Sequence, residues 1–358
     1  VIIDAEQLET YLRAREAQEC FSGVVLITQA GETHFAGAYG YAHRGWQVRN
    51  SLDVRFDTAS VTKLFTAVAT LQMIDRGQFA FDTSAVSYLD LHGTAIAPDA
   101  TVFHLLTHTS GIADDADEEA GERYEDLWRA KPNYAIAETA DFLPQFAYKP
   151  ANFAPGAGCR YNNCAYVLLG LMVERASGLR YRDYVRQHIF APAGMTASDF
   201  LRMDEVAPNV AEGYAPIADA QDNERTVGWK KNIYSYPPVG SPDGGAYVTA
   251  SDLDRFLRSL KAGKLLSPAL TAAFFTPQVD CRPMRDGWSK AHGYGLWFYV
   301  EPSGRVLFGE KEGVNVGVSA VIRHFPDRDI NVILLSNLEE GVWEPVWAIH
   351  KMLMTSQT

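Results

Sequence analysis

The feature that most constrains this chain is the apolar run Leu64-Phe65-Thr66-Ala67-Val68-Ala69-Thr70-Leu71-Gln72-Met73-Ile74, opened by Ser60-Val61-Thr62-Lys63. Val61, Leu64, Phe65, Val68, Leu71 and Met73-Ile74 recur at helical spacing, which predicts a buried helix that other elements must surround. Gly77, after Asp75-Arg76, supplies a stop. Ser60 then sits in the first turn, and Lys63, three residues on, shares its helix face. A serine hydroxyl needs a base before it acts as a nucleophile. A lysine serves only when its pKa falls far below about 10.4. The helix N-terminus contributes ~0.3–1 kcal/mol toward that, so burial against the apolar run must do most of the work. The same turn offers the Ser60 backbone N–H to a developing oxyanion. A bare Ser-x-x-Lys arises by chance about once in a chain this long, so residues elsewhere must decide.

Composition narrows the alternatives. The 358 residues suffice for about two domains, and 47% apolar with 21% charged residues fits a globular protein with a sizeable core. The net charge of −12, without a Lys/Arg-rich run, argues against nucleic acid or an anionic membrane as partner. No run of about 18 uninterrupted apolar residues exists, so no membrane-spanning helix is expected. Val1-Ile2-Ile3-Asp4 is neither a signal peptide nor an initiator Met. This favours the cytoplasm slightly and leaves open a removed leader, hence a periplasmic or secreted protein. Four cysteines do not make a disulfide framework, and no histidine or second cysteine pair stands at zinc spacing from Cys159 and Cys164. The expectation is free thiols.

Along the chain, Asp4 with Gln7 reads as a capping box before an amphipathic helix carrying Leu8, Tyr11 and Leu12. Residues 24–28 and 33–41 read as a hairpin around a turn at 30–32. Helical patterns dominate from 78 to about 240, among them a short helix at 101–106 and a buried one around 167–173. The acidic segment from Asp114 to Asp126 is not a calcium loop, because Ala120 falls where such a loop needs glycine; a solvated face is the expectation. His104 and His108 are four apart, but no Glu stands beside His104, so they read as structural. A helix at 252–261, strands at 294–300, 305–309, 317–325 and 330–336, and a last helix at 344–354 complete the chain. Strands and helices at both ends with helices between predict an α+β fold. An antiparallel sheet domain would be built from 1–77 and 241–358, flanked by N- and C-terminal helices, with a mainly helical domain, 78–240, inserted and a site in the cleft between.

Two further motifs follow Ser60-x-x-Lys63 at wide spacing: Tyr161-Asn162-Asn163 and Lys311-Glu312-Gly313. With them the chain resembles the serine β-lactamase and penicillin-binding-protein superfamily, in its class C-type branch. That branch also holds family VIII carboxylesterases, D-aminopeptidases and DD-peptidases. The neighbouring segments resemble it more closely still: Thr101-Val102-Phe103-His104-Leu105-Leu106-Thr107-His108-Thr109-Ser110-Gly111, Pro155-Gly156, Phe190-Ala191-Pro192-Ala193-Gly194-Met195, and Gly317. The likeness covers roughly 21–340. No Gly-x-Ser-x-Gly elbow is present, which counts against an α/β-hydrolase.

The resemblance implies a serine hydrolase needing no metal or cofactor and acting on small esters or amides through an acyl-enzyme. β-Lactamase and D-amino-acid peptidase activities are the alternatives, and a non-catalytic sensor is the rival of another class. Ser60 resembles the nucleophile, Lys63 its activating neighbour, and Tyr161 the base toward serine and acid toward the leaving group. A phenol of ordinary pKa about 10 needs cations near it to ionise at neutral pH, which Lys63 and Lys311 would supply. Asn163 would hold Lys63 and substrate, and the backbone N–H groups of Ser60 and Val314 would form the oxyanion hole. Glu312 and Gly313 would border the substrate. Glu312 departs from the family, which carries Thr, Ser or Gly there. Facing the cleft it would repel carboxylates, but strand alternation also allows it to face away. Natural substrate and oligomeric state are not readable.

Overall fold

The two ends of the chain meet in one antiparallel sheet. The computed structural model describes residues 2–222, 225–283 and 287–355. Helix α1 (Ala5–Ala17) precedes strands β1 (Gly23–Gln29) and β2 (Glu32–Tyr39). Helices α2 (Lys63–Asp75), α3 (Val102–Leu106), α4 (Asn163–Ser177) and α5 (Ala250–Lys261) follow. The remaining strands are β3 (Val279–Pro283), β4 (Ser289–His292), β5 (Trp297–Val300), β6 (Val306–Asn315), β7 (Val318–Phe325) and β8 (Ile330–Ser336), and helix α6 (Trp343–Thr355) closes the chain. The strand order is β2-β1-β8-β7-β6-β5-β4-β3. Gly23 pairs with Ser336 and Gln29 with Ile330, which puts β1 beside β8, one strand in from the β2 edge.

Alternation along β1 divides the core in two. Val24 and Leu26 pack into the cluster built around α2 and α4, whereas Val25 and Ile27 pack with Leu8 and Leu12 of α1 and Ile349 and Leu353 of α6. Every residue from Lys63 to Met73 is buried, so α2 is the central helix its apolar run predicts. Asp4 caps α1, Thr101 caps α3, and Gly178 ends α4 in the left-handed region.

The observed sheet is longer than the sequence pattern suggests. The short strands β3 and β4 extend it beyond β5, and residues 78–240 include a two-stranded sheet, Tyr214–Ala218 with Thr226–Lys231, among their helices. Among the described residues no helix is long and apolar enough to cross a membrane.

Two expectations need correction. Cys159 and Cys281 are joined by a disulfide, leaving Cys20 and Cys164 as free thiols. The acidic segment is not uniformly solvated: Asp114 and Asp115 are buried. Asp114 accepts the backbone N–H groups of Asn163 (2.9 Å) and Cys164 (3.0 Å), so it satisfies the unpaired amides at the start of α4.

Candidate active site

Ser60 lies in a tight 3₁₀ turn, Ala59–Thr62, that runs directly into α2. The residue before it, Ala59, has φ of +42°, a conformation that costs a non-glycine residue ~1–3 kcal/mol. The Ala59 N–H donates to Asp57 Oδ1 (2.7 Å), which helps to hold this turn. The turn lifts the Ser60 hydroxyl away from the helix and toward α4 and β6.

Four of the sequence-predicted residues converge there. Lys63 Nζ donates to Ser60 Oγ (3.0 Å), Asn163 Oδ1 (2.7 Å) and the Asp243 carbonyl (2.6 Å). The Tyr161 hydroxyl donates to Ser60 Oγ at 2.7 Å. Asn163 is the first residue of α4, so the Asp114 cap fixes the residue that holds Lys63. Lys311 brings its ammonium to 4.7 Å from the centre of the Tyr161 ring, and Lys63 approaches the same ring at 5.0 Å.

Burial sets the protonation landscape. It pulls the Lys63 amine below its ordinary pKa, against the opposing pull of Asp243. Burial, then the charge of Lys63, holds Lys311 well below the usual lysine range. Tyr161 departs from expectation. Its phenol is pushed well above 10, chiefly by burial and next by Glu118, and the hydrogen bond to Ser60 only partly opposes this. The two lysines stand over the ring without drawing the phenol down.

Strand β6 presses against the Ser60 turn. A Cβ built on Gly313 would lie 2.1 Å from the Thr58 carbonyl oxygen and 2.9 Å from the Ser60 nitrogen, so only glycine fits. Val314, 42% exposed, follows it at the mouth of the cleft. Two cavities meet at Ser60, Glu118 and Val314. One, of about 40 Å³, is narrow and runs past Asn163, Tyr124, Met203 and Tyr236. The other, of about 470 Å³, is open and bordered by Tyr161, Trp297, Lys311, Glu312 and Trp343.

The layer behind Tyr161 was not foreseen. His108 packs on the Tyr161 ring (centroids 4.7 Å apart) and accepts the Asn162 N–H at 3.2 Å. His292 meets His108 edge-on and stacks on Trp297. Burial holds His108 well below the ordinary histidine pKa, so a neutral ring supports the tyrosine. His104 instead caps α3 with Thr101. The Cys159–Cys281 bridge ties the Tyr161 segment to β3 at the sheet edge, and Glu119 accepts the Tyr161 N–H at 3.2 Å. His292, Trp297 and Cys281 lie in short strands with little periodicity, which is why no sequence signal placed them here.

Known proteins share this arrangement of the chain. Penicillin-binding protein 4* of Bacillus subtilis (strain 168) is 26% identical over 347 residues, covering 94% of this chain and 72% of that one. Esterase EstB of Burkholderia gladioli is 32% identical over 286 residues, covering 73% and 70%. The crystal structure of a penicillin binding protein from Bacillus halodurans superposes with a TM-score of 0.87 at 34% identity, covering 95% of this chain and 99% of that one. The family model described as Beta-lactamase matches residues 8–349. The chain belongs to that family.

Proposed function

We propose that the protein is a serine acyl hydrolase that forms an acyl-enzyme on Ser60 and cleaves small esters or amides. One observation carries the reading: Ser60 Oγ holds both Lys63 Nζ and the Tyr161 hydroxyl within hydrogen-bond distance where two cavities meet. Its similarity to an esterase and to penicillin-binding proteins supports the same class.

The protonation landscape divides the labour. Lys63, whose amine burial favours as neutral, takes the Ser60 proton as Oγ attacks the substrate carbonyl carbon. The oxyanion develops toward the N–H groups of Ser60 and Val314. Tyr161, whose phenol keeps its proton, gives it to the leaving atom as the carbonyl–leaving-group bond breaks. The proton held by Lys63 then returns to Tyr161. Water repeats the sequence in reverse and frees Ser60 with the acid. Asn163 Oδ1 and the Asp243 carbonyl keep Lys63 aimed throughout.

Tyr161 must touch the leaving atom, so the leaving group occupies the wide cavity and the acyl group the narrow one. About 40 Å³ admits only a short acyl chain. The Cys159–Cys281 bridge supports an oxidising compartment over the cytoplasm that the opening residues slightly favour.

The test is a series of p-nitrophenyl esters from acetate to octanoate, read with mass spectrometry of the acylated protein. Acetate and propionate should be turned over best, with the acyl mass on a Ser60 peptide and none in Ser60→Ala. Acylation of another serine, or undiminished turnover by Ser60→Ala, would refute the reading. D-Amino-acid amides and penicillins in the same panel separate peptidase and β-lactamase activities from the esterase.

A further inference from the structure

Glu312 stands where the family has a small hydroxyl residue or glycine, and its surroundings give it a specific task. The inference rests on the reading above, in which the wide cavity receives the leaving group. Along β6, Lys311 and Gly313 point toward Ser60, whereas Glu310 and Glu312 share the opposite face. Glu310 is fully buried, and its Oε2 accepts Arg323 Nε at 2.6 Å, with Nη2 in ion-pair contact at 2.5 Å but making no hydrogen bond. Its other oxygen, Oε1, is buried and accepts no well-formed hydrogen bond among the described residues, and the groups that reach Glu310 besides Arg323 are the Tyr299 hydroxyl and the Glu312 carboxyl. A carboxylate oxygen only accepts, and leaving a buried one unpaired is costly.

The neighbouring carboxyl is Glu312, within hydrogen-bonding reach of Glu310 once a proton lies between them. Glu312 also borders the wide cavity, as do Lys311 and Trp343. We propose that Glu310 and Glu312 share one proton, so that Glu312 is a specificity residue that is uncharged toward the leaving group in acid and anionic in alkali.

Burial and the charge of Glu310 push the Glu312 carboxyl up to about 7. Lys290 of β4 and Lys311 of β6 pull it the other way. The Tyr299 hydroxyl of β5 borders the same pair, and Arg323 of β7 holds Glu310 from below. Helix α6 contributes the Trp343 and Trp347 rings, with His350 beyond Arg323. Across the cavity stand Glu118 and Glu119. A substrate carboxylate therefore meets a neutral Glu312 beside Lys311 at low pH, and an added negative charge once the shared proton leaves.

The test uses 4-acetoxybenzoate and its methyl ester, which share an acyl group and differ in leaving-group charge. Titrations of Lys63 and Tyr161 affect both and cancel in the ratio of their kcat/KM values. From about pH 5.5 to about pH 8.5 the carboxylate-to-ester ratio should fall roughly tenfold, about 1.4 kcal/mol of like-charge repulsion, in the wild type. The fall should centre near pH 7. In Glu312→Gln, whose amide still donates to Glu310, the ratio should stay near its low-pH value. A flat wild-type ratio with normal methyl-ester turnover, or a fall that persists in Glu312→Gln, overturns the proposal and leaves the hydrolase reading standing. Absence of turnover with both esters overturns that reading instead. Carboxyl carbon NMR of glutamate-labelled protein judges the shared proton independently. The resonance lost in Glu312→Gln should titrate near 7, and a midpoint near the ordinary value of about 4.3 refutes the pair.

Discussion

Gly313 and Ser60 are packed backbone to backbone, with no room between β6 and the Ser60 turn for a single methyl group. Gly313→Ala must therefore displace either the strand or the turn. Because Val314 follows directly, the Ser60 and Val314 N–H groups would lose their common aim. Acylation by p-nitrophenyl acetate should fall by about 10²-fold or more, as when an oxyanion donor is lost. Circular dichroism should remain native, and an unchanged burst rate would contradict the tight approach.

Lys63→Ala and Tyr161→Phe should each lower acylation by about 10²–10⁴. They should differ in leaving-group dependence. If Tyr161 protonates the leaving atom, Tyr161→Phe harms alkyl esters and amides far more than p-nitrophenyl esters, whose leaving group departs without a proton. Lys63→Ala should harm both alike. Stopped-flow measurement of the first turnover with each substrate type checks this.

The pH profile on a neutral ester has a defined sign. In the proposed mechanism Lys63 works as the neutral amine, so activity is lost as pH falls through its pKa, which burial has moved below 10.5. In the same mechanism Tyr161 works as the protonated phenol, so activity falls again only in strong alkali, above the ordinary phenol range. The rate should rise with pH until the Lys63 amine is neutral and then hold into alkali. A rate that falls as pH rises through neutrality would exchange the two roles.

The disulfide should be countable. Unfolded without reductant the protein should titrate two thiols, Cys20 and Cys164, and four after reduction. Cys159→Ser should also lower the unfolding free energy. The bridge spans 122 residues, and constraint of the unfolded chain over a loop near that length is worth about 4–5 kcal/mol. A denaturant titration with and without reductant measures it.

Local patterns reveal what local physics controls. Ser60 and Lys63 are three residues apart and α2 is apolar all round, so their meeting was readable. Long β7 and β8 were readable as well, being apolar over most of their lengths. β3 and β4 are five and four residues long and sit at the sheet edge, too short for alternation to register. Asp114 looks like its acidic neighbours until α4 is placed above it and its amides need an acceptor. Cys159 and Cys281 are 122 residues apart, and spacing alone cannot pair residues that a fold brings together. Tyr161 was placed at the site by its motif, but its protonation was not, because burial outweighs the lysines above its ring.

The pairing of Gly23 with Ser336 also has a consequence for biosynthesis. β1 leaves the ribosome early, yet its partner on one side is made only near the end. Until β8 and α6 arrive, half of the backbone hydrogen-bonding edge of β1 and the apolar sides of Val25 and Ile27 lack their cover. β6, which completes the oxyanion side of the cleft, is also late. A nascent chain thus carries Ser60 and Lys63 long before it can use them. Such sequence-distant pairing slows folding and leaves an open strand edge exposed to other chains. Chains that terminate before β8 should therefore aggregate rather than persist as partly active fragments.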